Sequence, residues 1–147
     1  MLNAKQLINV KGHEVWTVRH TQSVYEAVSL MAEKDIGSLL VMQGEKLVGI
    51  ITERHYARNI VLKGKTSPQT LVGEIMSRSV VCARPEQTVD ECMDLMTHKR
   101  VRHLPVLERG KVIGIISIGD IVKSIIDDQS FIIAQLENYI SGEKLAH

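Results

Sequence analysis

Two residue pairs in the 147-residue sequence have a spacing suited to ligand chemistry. Thr52 is followed three residues later by His55, and Ser117 by Asp120, and each pair comes directly after a short apolar run. A strand that leads into a helix at these points puts the hydroxyl where the first helical amides lack partners. Such amides suit a phosphate, and a carboxylate one turn later suits a vicinal diol such as ribose. The same Ser-x-x-Asp spacing is also a plain capping box, and the pattern alone leaves both interpretations open.

The two pairs belong to an internal duplication. A shift of 65 residues aligns residues 15–61 with residues 80–126 without a gap, and 15 of the 47 aligned pairs are identical. Unrelated segments of average composition would share roughly 6%. A duplicated structural unit is therefore expected, and any site in one copy has a counterpart in the other.

Each copy is predicted to fold as βαββα, which gives an α/β (α+β) protein of two tandem repeats related by pseudo-twofold symmetry. Ser23 and Thr88 each precede a helical pattern and have a glutamate three residues later, a capping-box signature. The predicted strands are 15–18, 38–42 and 47–51 in the first copy and 80–83, 103–107 and 112–116 in the second, with second helices at 53–62 and 118–127.

The chain is expected to divide into four parts, with repeat one and its N-terminal segment at 1–62 and repeat two at 71–127. The polar Gly/Pro stretch 63–70 is predicted to be a linker, and short helices are predicted at 4–10 and 71–76. Residues 128–147 hold a C-terminal helix and tail. The helix, from 130 to about 140, should cover the module itself or pack on a second subunit.

Composition argues for a globular chain and against several function classes. Hydrophobic residues make up 44%, charged residues 24%, and the net charge is +1, with no basic stripe for nucleic acid. No apolar run suggests a signal peptide or a membrane span, so we expect a cytoplasmic location. Catalytic motifs and metal-ligand spacings are absent, so we expect neither catalysis nor a catalytic cofactor.

The repeated Gly-h-h-Ser/Thr-x-x-Asp motif, with h an apolar residue, resembles that of the CBS domain pair. It is carried here by Gly49-Ile50-Ile51-Thr52 and Gly114-Ile115-Ile116-Ser117 with the polar residue that follows. The likeness covers roughly residues 7–127. It implies two pseudo-symmetric clefts between the repeats, a homodimer, and binding of AMP, ATP or NAD(H).

The resemblance implies that residues of both repeats meet in each cleft. In the Ser117 cleft, Ser117 would face the phosphate and Asp120 the ribose hydroxyls, beside Ile115. The adenine would lie against repeat one, and cationic side chains of repeat two could reach the phosphate. The repeat-one residues are Gln22, Ala27, Ile36, Gly37 and Ser38, and the cationic residues are Arg102 and His103. Arg102 could equally be a solvated surface residue.

The Thr52 cleft would combine Thr52 and His55 with Gln87, Cys92 and Val101–His103. His55 departs from the family pattern, because an imidazole cannot accept hydrogen bonds from two diol hydroxyls as a carboxylate does. Weaker or altered binding is expected, with Arg54 and Arg58 holding a phosphate instead. Two alternatives stay open, a pH-sensitive site and an empty one.

The function implied is a non-catalytic regulatory module that binds an adenine nucleotide and signals to an unidentified effector protein. The alternative is an interaction or dimerisation scaffold whose nucleotide sites have decayed. Neither nucleic acid nor a membrane is expected as a partner.

Overall fold

The computed structural model describes residues 1–141, and its elements follow the predicted double repeat. Repeat one contains β1 (Thr17–Arg19), α2 (Val24–Lys34), β2 (Ser38–Gln43), β3 (Lys46–Thr52) and α3 (Glu53–Tyr56), which continues into a π-helical turn (Ala57–Val61). Repeat two contains α5 (Val89–Lys99), β4 (His103–Glu108), β5 (Lys111–Ser117) and α6 (Ile118–Ile140). Three shorter elements complete the described chain: α1 (Ala4–Lys11), a 3-10 turn (Ser67–Gln69) and α4 (Val72–Ile75). The predicted tandem mixed fold is confirmed.

Local caps explain where the first helix of each repeat begins and ends. The hydroxyl of Thr88 accepts from the Glu91 amide, and the Glu91 carboxylate accepts from the Thr88 amide, so the predicted capping box is complete. Ser23 makes only the first of these bonds, because the Glu26 carboxylate accepts from the Gln22 side chain instead. Both helices end at a left-handed residue, Asp35 in α2 and Arg100 in α5.

The two sheets differ by one strand. In repeat one, β1 pairs parallel with β2, and β2 pairs antiparallel with β3. In repeat two, β4 and β5 pair antiparallel, but residues 80–83 form only a single bridge, from Ala83 to Val106. The prediction of a strand at 80–83 was therefore wrong. The Leu40 amide donates to Trp16 in repeat one, whereas the matched residue of repeat two is Pro105, which has no N–H to donate.

Each repeat is covered by the short helix that precedes the other repeat. Helix α1 buries Ala4, Leu7 and Ile8 in the core of repeat two, and α4 buries Val72 and Ile75 in the core of repeat one. The sequence predicted both helices but did not indicate this crossed packing. The crossing ties the repeats together, because neither core is complete without a segment from beyond its own repeat.

Helix α6 is one continuous helix of 23 residues. The sequence predicted two helices, 118–127 and 130–140, and this separation was wrong, because no glycine or proline interrupts residues 120–140. Residues 142–147 of the predicted tail lie outside the described part of the chain. Within residues 1–141, no helix combines the length and the apolar character that crossing a membrane requires.

Candidate functional site

A cleft with a volume of about 330 Å³ lies between the two repeats. Repeat one contributes the end of β3 and the start of α3, and repeat two contributes the α5–β4 turn. Ser77, Ser79, Val80 and Val81 close it from the connecting segment. The volume is at the lower end of the range typical of small-molecule sites. This is the predicted Thr52 cleft.

The polar base of the Thr52 cleft is the capping box of α3. The His55 amide donates to the Thr52 hydroxyl at 3.3 Å, and the Thr52 amide donates to His55 Nδ1 at 3.1 Å. Because Nδ1 accepts, the ring proton of the neutral imidazole lies on Nε2. His55 thus takes the capping role that Asp120 takes in repeat two, but it keeps one donor for a ligand where a carboxylate would offer acceptors.

The surroundings of His55 favour its neutral form. Burial lowers the pKa of His55, and the positive charges of Arg54 and Arg58 lower it further. Burial also lowers the pKa of His103, with Lys11 and Arg102 acting in the same direction and Asp120 opposing them. An anionic ligand in the cleft would act in the opposite direction on both histidines.

Permanent positive charge in the Thr52 cleft comes from three guanidinium groups, those of Arg54, Arg100 and Arg102. Glu53 supplies one carboxylate to the lining. Within residues 1–141, none of the three arginines forms a salt bridge. Each guanidinium can donate two parallel hydrogen bonds to a phosphate, so the cleft is suited to an anion.

The matched Ser117 cleft has a different polar arrangement. Asp120 Oδ2 accepts from the Ser117 amide at 2.8 Å and from Lys11 Nζ at 2.6 Å. Lys11 Nζ also donates to the carbonyl of Ile115 at 2.7 Å. Burial raises the pKa of Asp120, but the hydrogen bonds from Lys11 and Ser117 outweigh it and lower the pKa overall. The carboxylate expected to meet ribose is therefore already paired with a lysine of α1.

The structure brings together part of the predicted site and separates the rest. Among the residues predicted for the clefts, those that line the Thr52 cleft are Gly37, Thr52, Arg54, His55, Val101, Arg102 and His103. Ile115, Ser117 and Asp120 lie together on the other side, at the end of β5. Ser38, Ile36 and Ala27 are buried or partly buried in repeat one. Arg58 is one turn beyond His55, outside the lining of the Thr52 cleft.

Gln22 and Gln87, both predicted to contact a ligand, instead hold the turn that precedes the first helix of each repeat. The side-chain oxygen of Gln22 accepts from the Arg19 amide, and that of Gln87 accepts from the Arg84 amide, both at 2.8 Å. Neither glutamine lines the Thr52 cleft. Cys92 is buried in the core of repeat two, so its predicted cleft contact is absent.

Sequence reasoning missed Lys11 and Arg100. The 65-residue shift pairs Lys11 with Met76, so carrying the alignment into the short helices would have shown a charge in one copy only. Arg100 is paired with Asp35, a reversal of charge between the copies. Within residues 1–141, no group of three His, Cys, Asp or Glu side chains could hold a metal ion.

Comparison with known proteins identifies the repeated unit. The family model of the CBS domain matches residues 9–62 and 72–127. The CBS domain-containing protein CBSX3 of Arabidopsis thaliana, a mitochondrial protein, is 40% identical over 125 residues, which is 82% of this chain. The chain spans only 61% of the length of that relative.

Solved structures share the architecture over nearly their whole length. A putative signal-transduction protein with CBS domains from Burkholderia ambifaria has 51% sequence identity and a TM-score of 0.83, covering 86% of this chain and 96% of its own. The CBS-domain protein NE2398 has 49% identity and a TM-score of 0.81, covering 84% of this chain and 97% of its own.

Proposed function

This chain belongs to the CBS-domain family, and from that premise we propose that it is a non-catalytic regulatory module that binds an adenine nucleotide between its repeats. Tandem CBS domains are generally regulatory, ligand-binding modules, and CBS domains commonly bind adenine nucleotides. The proposal assigns the nucleotide to the Thr52 cleft. It follows that AMP, ADP, ATP or NAD(H) acts as a bound signal and not as a substrate.

The observation that carries the proposal is a set of three arginines that line an inter-repeat cleft and form no salt bridge within residues 1–141. Arg54 comes from repeat one, whereas Arg100 and Arg102 come from repeat two. A ligand whose phosphate is held by these arginines contacts both repeats at once. Val80 and Val81 add an apolar surface beside the polar groups, which suits a purine.

A ligand held from both repeats can signal by changing how they are arranged. It shifts the conformational equilibrium only by its difference in affinity for the two arrangements. The crossed helices α1 and α4 would transmit the change, because each packs on the repeat that it does not precede. An effector that recognises one arrangement would then respond to the nucleotide, and we propose a separate protein as that effector.

The test is a nucleotide panel on protein first shown to be ligand-free. Thermal unfolding and calorimetry would be measured with AMP, ADP, ATP, NAD⁺ and NADH, and with GTP as a control for the base. A ligand that binds only the folded state at a concentration of 100 times its Kd stabilises it by about 2.7 kcal/mol. We expect at least one adenine nucleotide to raise the Tm. No response to any of them would refute the proposal.

Two variants that each remove one positive charge distinguish binding in the Thr52 cleft from an effect of the overall charge of the protein. Arg102→Gln removes a guanidinium from the cleft and should weaken nucleotide binding. Arg84→Gln is the matched control, because Arg84 is 69% exposed, pairs only loosely with Glu86, and lies outside the lining. An equal loss of affinity in both variants would show that binding depends on overall charge and not on this cleft.

A second candidate function, self-association, is supported by residues 126–140 of α6. Ile126, Ile133 and Ile140 are seven residues apart, Leu136 lies between the last two, and all four are more than half exposed. A heptad spacing of apolar residues is typical of a helix that packs along another helix. We propose that a second copy of this chain covers the stripe, which gives the homodimer expected from the family resemblance.

Sedimentation equilibrium would test the α6 contact. Ile133→Glu puts a charge into the apolar stripe and should produce a monomer at concentrations where the wild type is dimeric. Gln135→Glu adds the same charge on the far side of the helix, at an exposed position that Gln135 shares with Asp128, and it should leave the assembly unchanged. A monomeric wild-type protein would rule out this candidate.

A further inference from the structure

The residues that line the Thr52 cleft carry more positive charge than the matched residues of the other copy. The 65-residue shift that relates the repeats pairs the three arginines of the Thr52 cleft with residues that carry no positive charge. The pairs are Arg54 with Gly119, Arg100 with Asp35, and Arg102 with Gly37. His55 is likewise replaced by Asp120. The duplication has therefore diverged in charge, and the three arginines that line the Thr52 cleft have no cationic counterparts in the other copy.

At the predicted Ser117 site, the polar groups already bond to the protein itself. Lys11 neutralises Asp120 at 2.6 Å and takes the carbonyl of Ile115 as a second acceptor. A phosphate entering here would meet Asp120 and would compete with an existing ion pair. The Thr52 cleft differs, since none of its three arginines forms a salt bridge within residues 1–141, although Glu53 is also in the lining.

Resting on the proposed function, we propose that each chain binds one nucleotide, in the Thr52 cleft, and that Arg100 makes its affinity rise with the number of phosphates. One phosphate can be held by one or two guanidinium groups. A third guanidinium gains more from a ligand with a second or third phosphate, which supplies further acceptor oxygens and further negative charge. The preferred ligand is then adenosine di- or triphosphate, with the monophosphate binding more weakly.

Arg100 offers a clean test because of its backbone. It has φ 54° and ψ 43°, a left-handed conformation that costs an L-residue with a Cβ but not glycine. Arg100→Gly removes the guanidinium and relieves the backbone, so we expect the variant to fold as the wild type does and to lose only the binding contribution of the guanidinium. Arg109→Gly is the matched control, because Arg109 also has a positive φ, of 53°, but lies in the β4–β5 turn away from the cleft.

Calorimetric titrations of wild type, Arg100→Gly and Arg109→Gly with AMP, ADP, ATP and inorganic tripolyphosphate decide the question. The wild type should bind one ligand per chain, with affinity rising from AMP to ATP, and should also bind tripolyphosphate. Arg100→Gly should bind ATP and tripolyphosphate about tenfold more weakly, the effect of losing one charged hydrogen bond, with a smaller change for AMP. Arg109→Gly should match the wild type, and neither variant should melt at a lower temperature.

Three results would overturn the inference while leaving the proposed function intact. They are equal affinities for AMP and ATP, two nucleotides bound per chain, and unchanged ATP binding by Arg100→Gly. If none of the three nucleotides binds but NAD⁺ or NADH does, the inference alone fails. If NAD⁺ and NADH also do not bind to the wild type, the proposed function fails together with the inference.

Discussion

Replacing Lys11 with methionine should destabilise the protein and leave Asp120 without its ion-pair partner. Methionine stands at the matched position of the other repeat, as Met76, so the fold already accommodates that side chain beside a strand. The substitution keeps most of the apolar stem and removes only the ammonium group. That group bonds Asp120 at 2.6 Å and Ile115 at 2.7 Å.

The expected loss of unfolding free energy depends on how exposed the Lys11–Asp120 ion pair is. The side chains of Lys11 and Asp120 are 28% and 23% exposed, so the pair is neither fully solvated nor fully desolvated. Exposed ion pairs contribute at most about 1 kcal/mol, and hydrogen bonds to charged groups roughly 1.5 to 3 kcal/mol. We expect Lys11→Met to lower the free energy of unfolding by about 1 kcal/mol at pH 7, or about 3 °C in Tm.

The lowered pKa of Asp120 determines how the stability difference between wild type and Lys11→Met changes with pH. The pKa of Asp120 is lowered in the folded state, so the stabilisation is present above the pKa of an unfolded aspartate, about 3.9. It is lost as the pH falls through the lower folded pKa. The difference between wild type and Lys11→Met should therefore be constant from pH 7 to about pH 5 and should narrow below about pH 4.

Urea unfolding of Lys11→Met, Asp120→Asn and the double variant would measure the coupling. Lys5→Met is the matched control on the same helix, because Lys5 pairs with Glu108 at 3.0 Å with side chains 51% and 37% exposed. It should cost less than about 0.5 kcal/mol. The reasoning is refuted if Lys11→Met is as stable as the wild type at pH 7, or if its deficit does not change with pH.

Three further predictions concern the fold and the site. Gly49→Ala should lower the free energy of unfolding in urea by roughly 1 to 3 kcal/mol. The added Cβ would lie 2.6 Å from Met76 Sδ and 2.8 Å from the Ser77 carbonyl oxygen. A variant as stable as the wild type would contradict this close approach. The pKa of His55 is lowered in the folded state, mainly by burial. The unfolded state therefore binds a proton at His55 more readily, so the free energy of unfolding of the wild type should decrease as the pH is lowered from about 7 to about 5. His55→Gln should lose less over that range, and parallel pH profiles would count against the assignment. Leu104→Ala, at a fully buried position, should cost about 2 to 5 kcal/mol in the same assay, and a loss under 1 kcal/mol would mean that the core of repeat two is not packed as described.

Most of the fold could be predicted because its signals are local and occur twice. The caps at Ser23 and Thr88 and the apolar runs of the hairpins each predict their element, and the duplication supports them. The failures have physical causes that act across the chain. Pro105 lacks the N–H that would pair a strand at 80–83, and α6 continues because nothing in its sequence breaks a helix.

Part of the site could also be predicted because its residues lie in locally recognisable, duplicated segments. Thr52, His55 and Arg102 belong to segments whose place in a βαββα unit fixes which side of the sheet they reach. Lys11 could not be found in this way, because its contact with Asp120 spans 109 residues and depends on the crossed packing of α1. Gln22 and Gln87 share the sequence pattern of a site, but their amides hold local turns.

The central claim is that the Thr52 cleft receives the phosphates of an adenine nucleotide, and the structure of the complex with ADP tests it most directly. We predict that the phosphates lie within hydrogen-bonding distance of Arg100 and Arg102, with Lys11 still paired to Asp120. Phosphates bound beside Asp120, or outside both clefts, would contradict the account.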